Sequence, residues 1–324
     1  MRAWQLSDLG EPADVLELKD VADPTPGEGQ VVLDVKATSI GFPDLLQVRG
    51  GYQVKPPMPF TPGTEIAGVV SAVGAGVTNV AEGDRVLWMG LGGLAEKVVA
   101  PAIGCFPIPD DMSFAQASVL LINYGTGVFA LENRAKLQPG ETLLVTAAAG
   151  GAGSAAVQLG KAMGANVIGL AGGAKKVETV FALGADAAFD YNEVNIVDAV
   201  RAATDNRGVD VCYEAVGGDT FDQVRRTMGW DGRLLIIGFT SGRIADAPTN
   251  HILLKNYSIV GVHWGAWLAR DRDALRNNWD RICELFETGH IDPLISAERP
   301  LEEAVDAFTA LASRGTVGKV VVCP

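Results

Sequence analysis

Three sets of residues in this chain have types and spacing that could do chemistry. The first is Ala148-Ala149-Gly150-Gly151-Ala152-Gly153. Against the pattern G-x-G-x-x-G, Ala148 takes the first position and Gly150 and Gly153 take the second and third. Gly150 has no Cβ, so a pyrophosphate can approach the backbone, and Gly153 lets a helix pack close on its strand. The N–H groups of Gly151, Ala152 and Gly153 would open that helix, with the positive end of its dipole behind them. The second set lies about 20 residues on, where a site for NAD places an acid on the ribose 2′-hydroxyl. The chain reads Leu170-Ala171-Gly172-Gly173-Ala174-Lys175-Lys176 there, with no carboxylate. The missing acid leaves room for a 2′-phosphate beside Gly172 and the two lysines supply charge for it, which favours NADPH; on the other reading they are a solvated helix face. The third is Tyr52 in Arg49-Gly50-Gly51-Tyr52. Its phenol is protonated at neutral pH and can donate to a developing oxyanion, or the ring can simply pack at the base of a loop.

Regular elements must hold these groups. Leu143-Leu144-Val145-Thr146-Ala147-Ala148 is an apolar run of buried-strand length, Ala155, Leu159 and Met163 recur at helical spacing, and Asn166 to Leu170 is a second strand. Strand, glycine turn, helix and strand together make a βαβ unit. The alternation continues: a helix near 196–203, a strand Val209 to Val216, a helix near 220–228, a strand Arg233 to Phe239 and a sixth run, Ser258 to Val262. This predicts a Rossmann-type, doubly wound parallel sheet with ligands at the strands' carboxyl ends. Before it, turns and short alternating runs predict a mostly β unit, with Gln30 to Ala37 as a strand. A helix over about 115–137 connects the two, and Lys319 to Val322 returns as a strand to the β unit.

At 324 residues, with 48% hydrophobic and 20% charged, the chain has the size of a two-domain globular enzyme. Its net charge of −13 opposes nucleic-acid and anionic-membrane partners. Cys105, Cys212, Cys283 and Cys323 form no CxxC, as expected of free thiols in a reducing cytoplasm. The N-terminus has no signal-like apolar core, and no uninterrupted apolar run reaches membrane-spanning length.

Further segments carry a resemblance: Gly41-Phe42-Pro43-Asp44-Leu45-Leu46, Pro59 to Glu65 with Ala67-Gly68-Val69-Val70, the glycine motif with Ala156-Val157-Gln158, and Gly261-Val262-His263-Trp264-Gly265. In combination the chain resembles the zinc-independent quinone oxidoreductases of the medium-chain dehydrogenase/reductase superfamily. The resemblance implies a chaperonin-10 (GroES)-like substrate domain over 1–122 and 264–324, and a Rossmann nucleotide domain over 123–263. It implies a cleft between them, NADPH-dependent reduction of quinones or related α,β-unsaturated carbonyls, and often a homodimer. Lys176 falls on the lysine that holds the 2′-phosphate, Tyr191 on a tyrosine near the adenosine phosphate, and Arg314 on an arginine closing that pocket. Thr126, Val216, Gly238 and Phe239 fall at the nicotinamide end. Gly41 and Leu46 stand where many relatives have Asn and Tyr near the substrate, which makes the pocket less polar. By position Tyr52 resembles a tyrosine proposed as proton donor in related enoyl reductases.

Other functions compete. Zinc members of the superfamily carry Gly-His-Glu where this chain has Gly63-Thr64-Glu65, and its His251, His263 and His290 show no ligand spacing, so no metal is expected. Glu65 then does structural work and Asp44 caps a helix or turn. No GxSxG elbow supports a hydrolase. Two alternatives stay open: an enone or enoyl-thioester reductase, and an NADPH-binding protein without catalysis.

Overall fold

Apolar runs too short for helices, each followed by a helix, generate the sheet of the nucleotide unit. The computed structural model describes residues 1–271, 273–313 and 315–324. The chain divides into one unit of Met1–Ile122 with Leu294–Pro324, and another of Asn123–Pro293.

In the second unit six strands lie in the order Ala187–Asp190, Asn166–Ala171, Thr142–Val145, Val209–Glu214, Met228–Ile236, Ser258–Gly261. Every neighbouring pair is parallel. By rank in the sequence this is 3-2-1-4-5-6, the doubly wound order, which reverses between Thr142–Val145 and Val209–Glu214. Strands buried on both faces explain the unbroken apolar runs: Leu143, Leu144, Val145, Val167 and Val211 are all fully buried.

The segment 264–293, expected with the substrate domain, falls in the nucleotide unit. Its side chains explain why. Trp267 stacks on Phe129 at 4.5 Å, and Arg281 pairs with Glu132 at 3.1 Å. The expected helix over 115–137 is an α-helix, Phe114–Val128, followed by a π-helical stretch, Phe129–Ala135. Taken together these are long and apolar enough to cross a membrane by length and composition alone, while Gln116, Ser118, Asn123 and Thr126 keep the apolar run interrupted. Of the most apolar window 72% is buried, so that apolarity is spent on packing.

In the first unit the strand Gln30–Ile40 is the spine. It pairs antiparallel with Glu65–Val73, with Lys97–Pro101 and with the C-terminal Lys319–Cys323. Val31, Leu33 and Val35 pack with Ile66, Val70 and Val86 in one apolar cluster. Ile40 and Val320, which are register partners, belong to another, with Leu45, Phe60 and Phe308. That register sets Lys319 one residue before the partner of Ile40, close to Gly41.

Candidate functional site

The glycine turn is built by close approach. The helix Gly151–Ala162 starts at Gly150, which offers no side-chain cap to the first turn. A Cβ on Gly153 would lie 2.1 Å from the Ala147 carbonyl oxygen, so only glycine fits. On Gly150 it would lie 3.3 Å from the same oxygen. Ala147 itself has φ 49°, a left-handed conformation that costs a residue with a Cβ roughly 1 kcal/mol. This turn brings Gly150, Gly151, Ala152 and Gly153 together at the start of the helix Gly151–Ala162, beside the sheet's reversal point, where no bulky side chain would bar a pyrophosphate.

At the end of the second strand, a Cβ on Gly172 would lie 2.4 Å from the Tyr191 phenol oxygen. The two residues therefore form one surface, and the Tyr191 N–H donates to the Ala171 carbonyl at 3.1 Å. Asp190 is the nearby carboxylate. It accepts from the Gly173 N–H at 2.9 Å and from Asn192, and these bonds hold it below the usual carboxylate range. Lys176 is half-buried in the first turn of the helix Ala174–Ala182, with Lys175 exposed beside it. A 2′-phosphate fits this set: a cation, a phenol and a turn with no side chain in the way. Arg314 lies outside the described residues.

At the fourth strand's end the Ile237 N–H donates to the Glu214 carbonyl, that of Thr240 to Ala215, and that of Ser241 to Val216. These bonds bring Val216, Gly238 and Phe239 together as paired loops, with Phe239 exposed. Beneath them is Glu214, fully buried. Its carboxylate accepts from the N–H groups of Val216 at 2.8 Å and Gly217 at 3.0 Å. Burial still pushes its pKa up, with those donors pulling against it. Thr126 stands half-buried on the helix Phe114–Val128.

The first unit holds a different kind of site. Gly41 caps the short helix Phe42–Val48, and Asp44 Oδ2 accepts its N–H at 2.8 Å. Thr64 donates to Asp44 Oδ1 at 2.8 Å. Glu65 is fully buried; it accepts from the Ile122 N–H at 2.9 Å and the Ser39 hydroxyl at 3.1 Å. Burial raises Asp44, and raises Glu65 to about 7, while the ammonium of Lys319 pulls both down. Leu46 is half-buried on the same helix, and Tyr52 follows the helix's end. Tyr52 lines an apolar pocket with Leu9, Gln47, Val54, Met58 and Phe60. Its phenol is raised by burial and then by Asp44, so it stays protonated. The Gln47 side-chain oxygen is buried with no hydrogen-bond partner among the described residues.

Residues 27–110 match the model of the alcohol dehydrogenase GroES-like domain, and residues 151–286 that of the zinc-binding dehydrogenase. The quinone oxidoreductase-like protein 2 homolog of Nematostella vectensis is 43% identical over 99% of this chain and 88% of its own. This chain belongs to the quinone oxidoreductase-like family of the medium-chain dehydrogenase/reductase superfamily. Two solved structures share its fold over the whole chain. A probable oxidoreductase from Mycobacterium abscessus is 37% identical, with a TM-score of 0.90 over 99% of its chain. The Escherichia coli quinone oxidoreductase complexed with NADPH is 28% identical, with a TM-score of 0.91 over all of its chain.

Among the described residues of this quinone oxidoreductase-like chain, no three His, Cys, Asp or Glu side chains converge as a metal would require. Sequence reasoning did not find Glu214, Ser39 or Lys319. Glu214 had a signal: a carboxylate ending an apolar strand, just before Gly217-Gly218 at a ligand-binding edge. Lys319 had none, because its neighbours come from residues 41–65.

Proposed function

We propose that this protein, an NADPH-dependent oxidoreductase, reduces quinones or related α,β-unsaturated carbonyl compounds without zinc. The observation that carries the reading is the make-up of the polar cluster beside Gly41: Ser39, Asp44, Thr64, Glu65 and Lys319, with no thiol or imidazole among them. Such a set lacks the soft ligands of a catalytic zinc, which supports an acceptor that needs no Lewis acid. NADPH supplies the hydride when bound. Gly150, Gly151, Ala152 and Gly153 would hold its pyrophosphate. Lys176, with Gly172, Tyr191 and Arg314, would hold the 2′-phosphate, and Thr126, Val216, Gly238 and Phe239 would face the nicotinamide. Gly41 and Leu46 would border the acceptor. Tyr52, kept protonated by its surroundings, would give a proton to the product of a conjugated alkene.

The enone or enoyl-thioester reading gains support from Gln47. Its unpaired buried oxygen beside a phenol donor matches an acceptor that carries both a carbonyl and an N–H or O–H. A homodimer is supported by the edge strand Ser258–Gly261 and by the exposed Ile244, Leu253 and Leu254.

One panel tests the reading: quinones, enals, enones and an enoyl thioester with NADPH and with NADH, and with elemental analysis before and after chelation. Turnover with NADPH by metal-free protein is expected. Stoichiometric zinc lost together with activity would overturn the zinc-free mechanism. Tight NADPH binding without turnover on any acceptor would instead establish the binding protein.

A further inference from the structure

Glu214 has no part in the function proposed above, yet it stands where the strand order of the nucleotide sheet reverses. It ends the strand Val209–Glu214 and is fully buried, and among the described residues no cation pairs with it. Burying a carboxylate without a cation is unfavourable, and an apolar residue would serve the core better. Its oxygens are taken instead by the turn that follows. Oε1 accepts from the Val216 N–H at 2.8 Å and the Gly217 N–H at 3.0 Å, and Oε2 shares the Gly217 N–H at 3.0 Å. Successive N–H groups aimed at one point form a nest that binds anions, and here the chain supplies the anion itself.

The turn needs this anchor. Gly217 and Gly218 have φ 72° and 53°, conformations that glycine enters freely and leaves as freely. A Cβ on Gly217 would lie 2.8 Å from the Arg243 carbonyl oxygen, so the turn lies against the loop 238–243. The Thr240 and Ser241 N–H groups donate to the Ala215 and Val216 carbonyls at 3.1 and 2.9 Å, which links the turn to Gly238 and Phe239. On its other side the Thr146 hydroxyl accepts from the Ala215 N–H at 2.9 Å and stands 3.4 Å from Glu214 Oε1. Thr146 directly precedes Ala147 of the glycine turn. One carboxylate thus anchors the segment that joins the glycine turn to the loop of Phe239.

We propose that Glu214 is the positioning residue of the nicotinamide end, its carboxylate holding the Val216–Gly217 turn, and through it Gly238 and Phe239, in the shape that receives the ring. This rests on the reading of Val216, Gly238 and Phe239 as that end of the cofactor site. Being buried, Glu214 acts through the turn and not by touching the ring. It removes in advance the backbone freedom that the ring would otherwise have to freeze. Every residue involved belongs to the nucleotide unit.

Glu214→Gln keeps the shape of the side chain but turns one accepting oxygen into an NH2 group that faces the N–H groups of the turn. It should raise the Kd for NADPH about tenfold, the effect of losing a hydrogen bond to a charged group, and leave the Kd for adenosine 2′,5′-bisphosphate within twofold. The nicotinamide emission of bound NADPH, which reports on the ring alone, should move towards that of the free cofactor. Glu214→Asp keeps the charge and shortens the reach by one methylene, so it should weaken NADPH too. NADP+, whose ring is cationic, should lose affinity by the same factor as NADPH. A loss confined to NADP+, with Glu214→Asp equal to the wild type, would make Glu214 an electrostatic partner of the ring and overturn the proposal. Equal losses for NADPH and the bisphosphate would make it a residue of the fold, and no loss in either variant would show that the turn holds itself; each outcome sinks the inference. If the emission of NADPH does not change on binding to the wild type, the reading of the nicotinamide end fails and takes this one with it. If thermal melts show that Glu214→Gln does not fold, Glu214→Asp decides: a Kd for NADPH equal to that of the wild type overturns the proposal.

Discussion

The nucleotide unit and the unit that carries Gly41 treat charge in opposite ways. Around the glycine turn the close contacts are made by backbone and missing side chains, and the cation of the set, Lys176, stands on a partly solvated helix face. Around Gly41 two carboxylates, Asp44 and Glu65, are almost wholly withdrawn from water, and burial drives both upward. The first arrangement suits a ligand that brings several negative charges of its own, since backbone donors and a surface lysine need no compensation when it leaves. The second suits a reaction in which charge appears only briefly. Groups already desolvated respond strongly to it, and need not reorganise.

Substitutions can break this contrast or sharpen it. The largest effect is expected at Tyr52. Tyr52→Phe should lower turnover of enones or enoyl thioesters by roughly 10²–10⁴ and quinone turnover much less, read in steady-state assays on both. Survival of both activities would move proton delivery to solvent. In the nucleotide unit Gly153→Ala drives a Cβ into the Ala147 carbonyl, so the turn must shift. A loss of at least about 3 kcal/mol, in NADPH affinity by titration or in stability by denaturation, is expected. Unchanged affinity and stability would show that the close approach is not what shapes the cradle.

Lys176→Ala should weaken NADPH use by about 10- to 150-fold, the worth of a charge-assisted hydrogen bond, while NADH kinetics barely change. Equal losses with both cofactors would mean that Lys176 supports the fold. Glu65 tests the buried side. Its folded pKa of about 7 stands above the ordinary 4.5, so its contribution to stability is fully present below about pH 4.5 and is lost as pH rises through about 7. Glu65→Gln cannot ionise. Against it, the wild type should lose on the order of 3 kcal/mol between pH 4.5 and pH 8, followed by thermal melts across that range. Asp44, Lys319, Ser39 and the Ile122 N–H face this carboxylate and remain in both proteins, so the difference isolates Glu65. A constant gap between the two melts would place its ionisation elsewhere. The smallest effect belongs to Gly150→Ala, whose Cβ stops 3.3 Å from the Ala147 oxygen; a few-fold loss of NADPH affinity is expected.

Much of the nucleotide unit was readable in the chain because its logic is local. The run Leu143 to Ala148, the glycines and the spacing of Ala155 and Leu159 all lie within twenty residues, and buried parallel strands leave an unbroken apolar signature. Gly172 and Lys176 were singled out by the same local reasoning and Tyr191 through the resemblance; the structure shows Gly172 packed against the Tyr191 phenol. The roles of Asp44 and Glu65 were legible in outline, as a cap and as a buried group. What the pattern did not reveal was the allegiance of 264–293. Trp267 and Arg281 go to Phe129 and Glu132 because of side-chain packing, which periodicity does not encode.

The sequence by itself determined the glycine turn, the lack of a carboxylate over residues 170–176, and the alternation that makes a parallel sheet. Each of these is a rule about neighbours along the chain. Only the tertiary structure decided that Lys319, from the last strand, stands against Gly41, Asp44 and Glu65. That placement depends on the antiparallel register of Val320 with Ile40. The apolar side chains on both strands set that register by burial, and the charge of Lys319 follows wherever they put it.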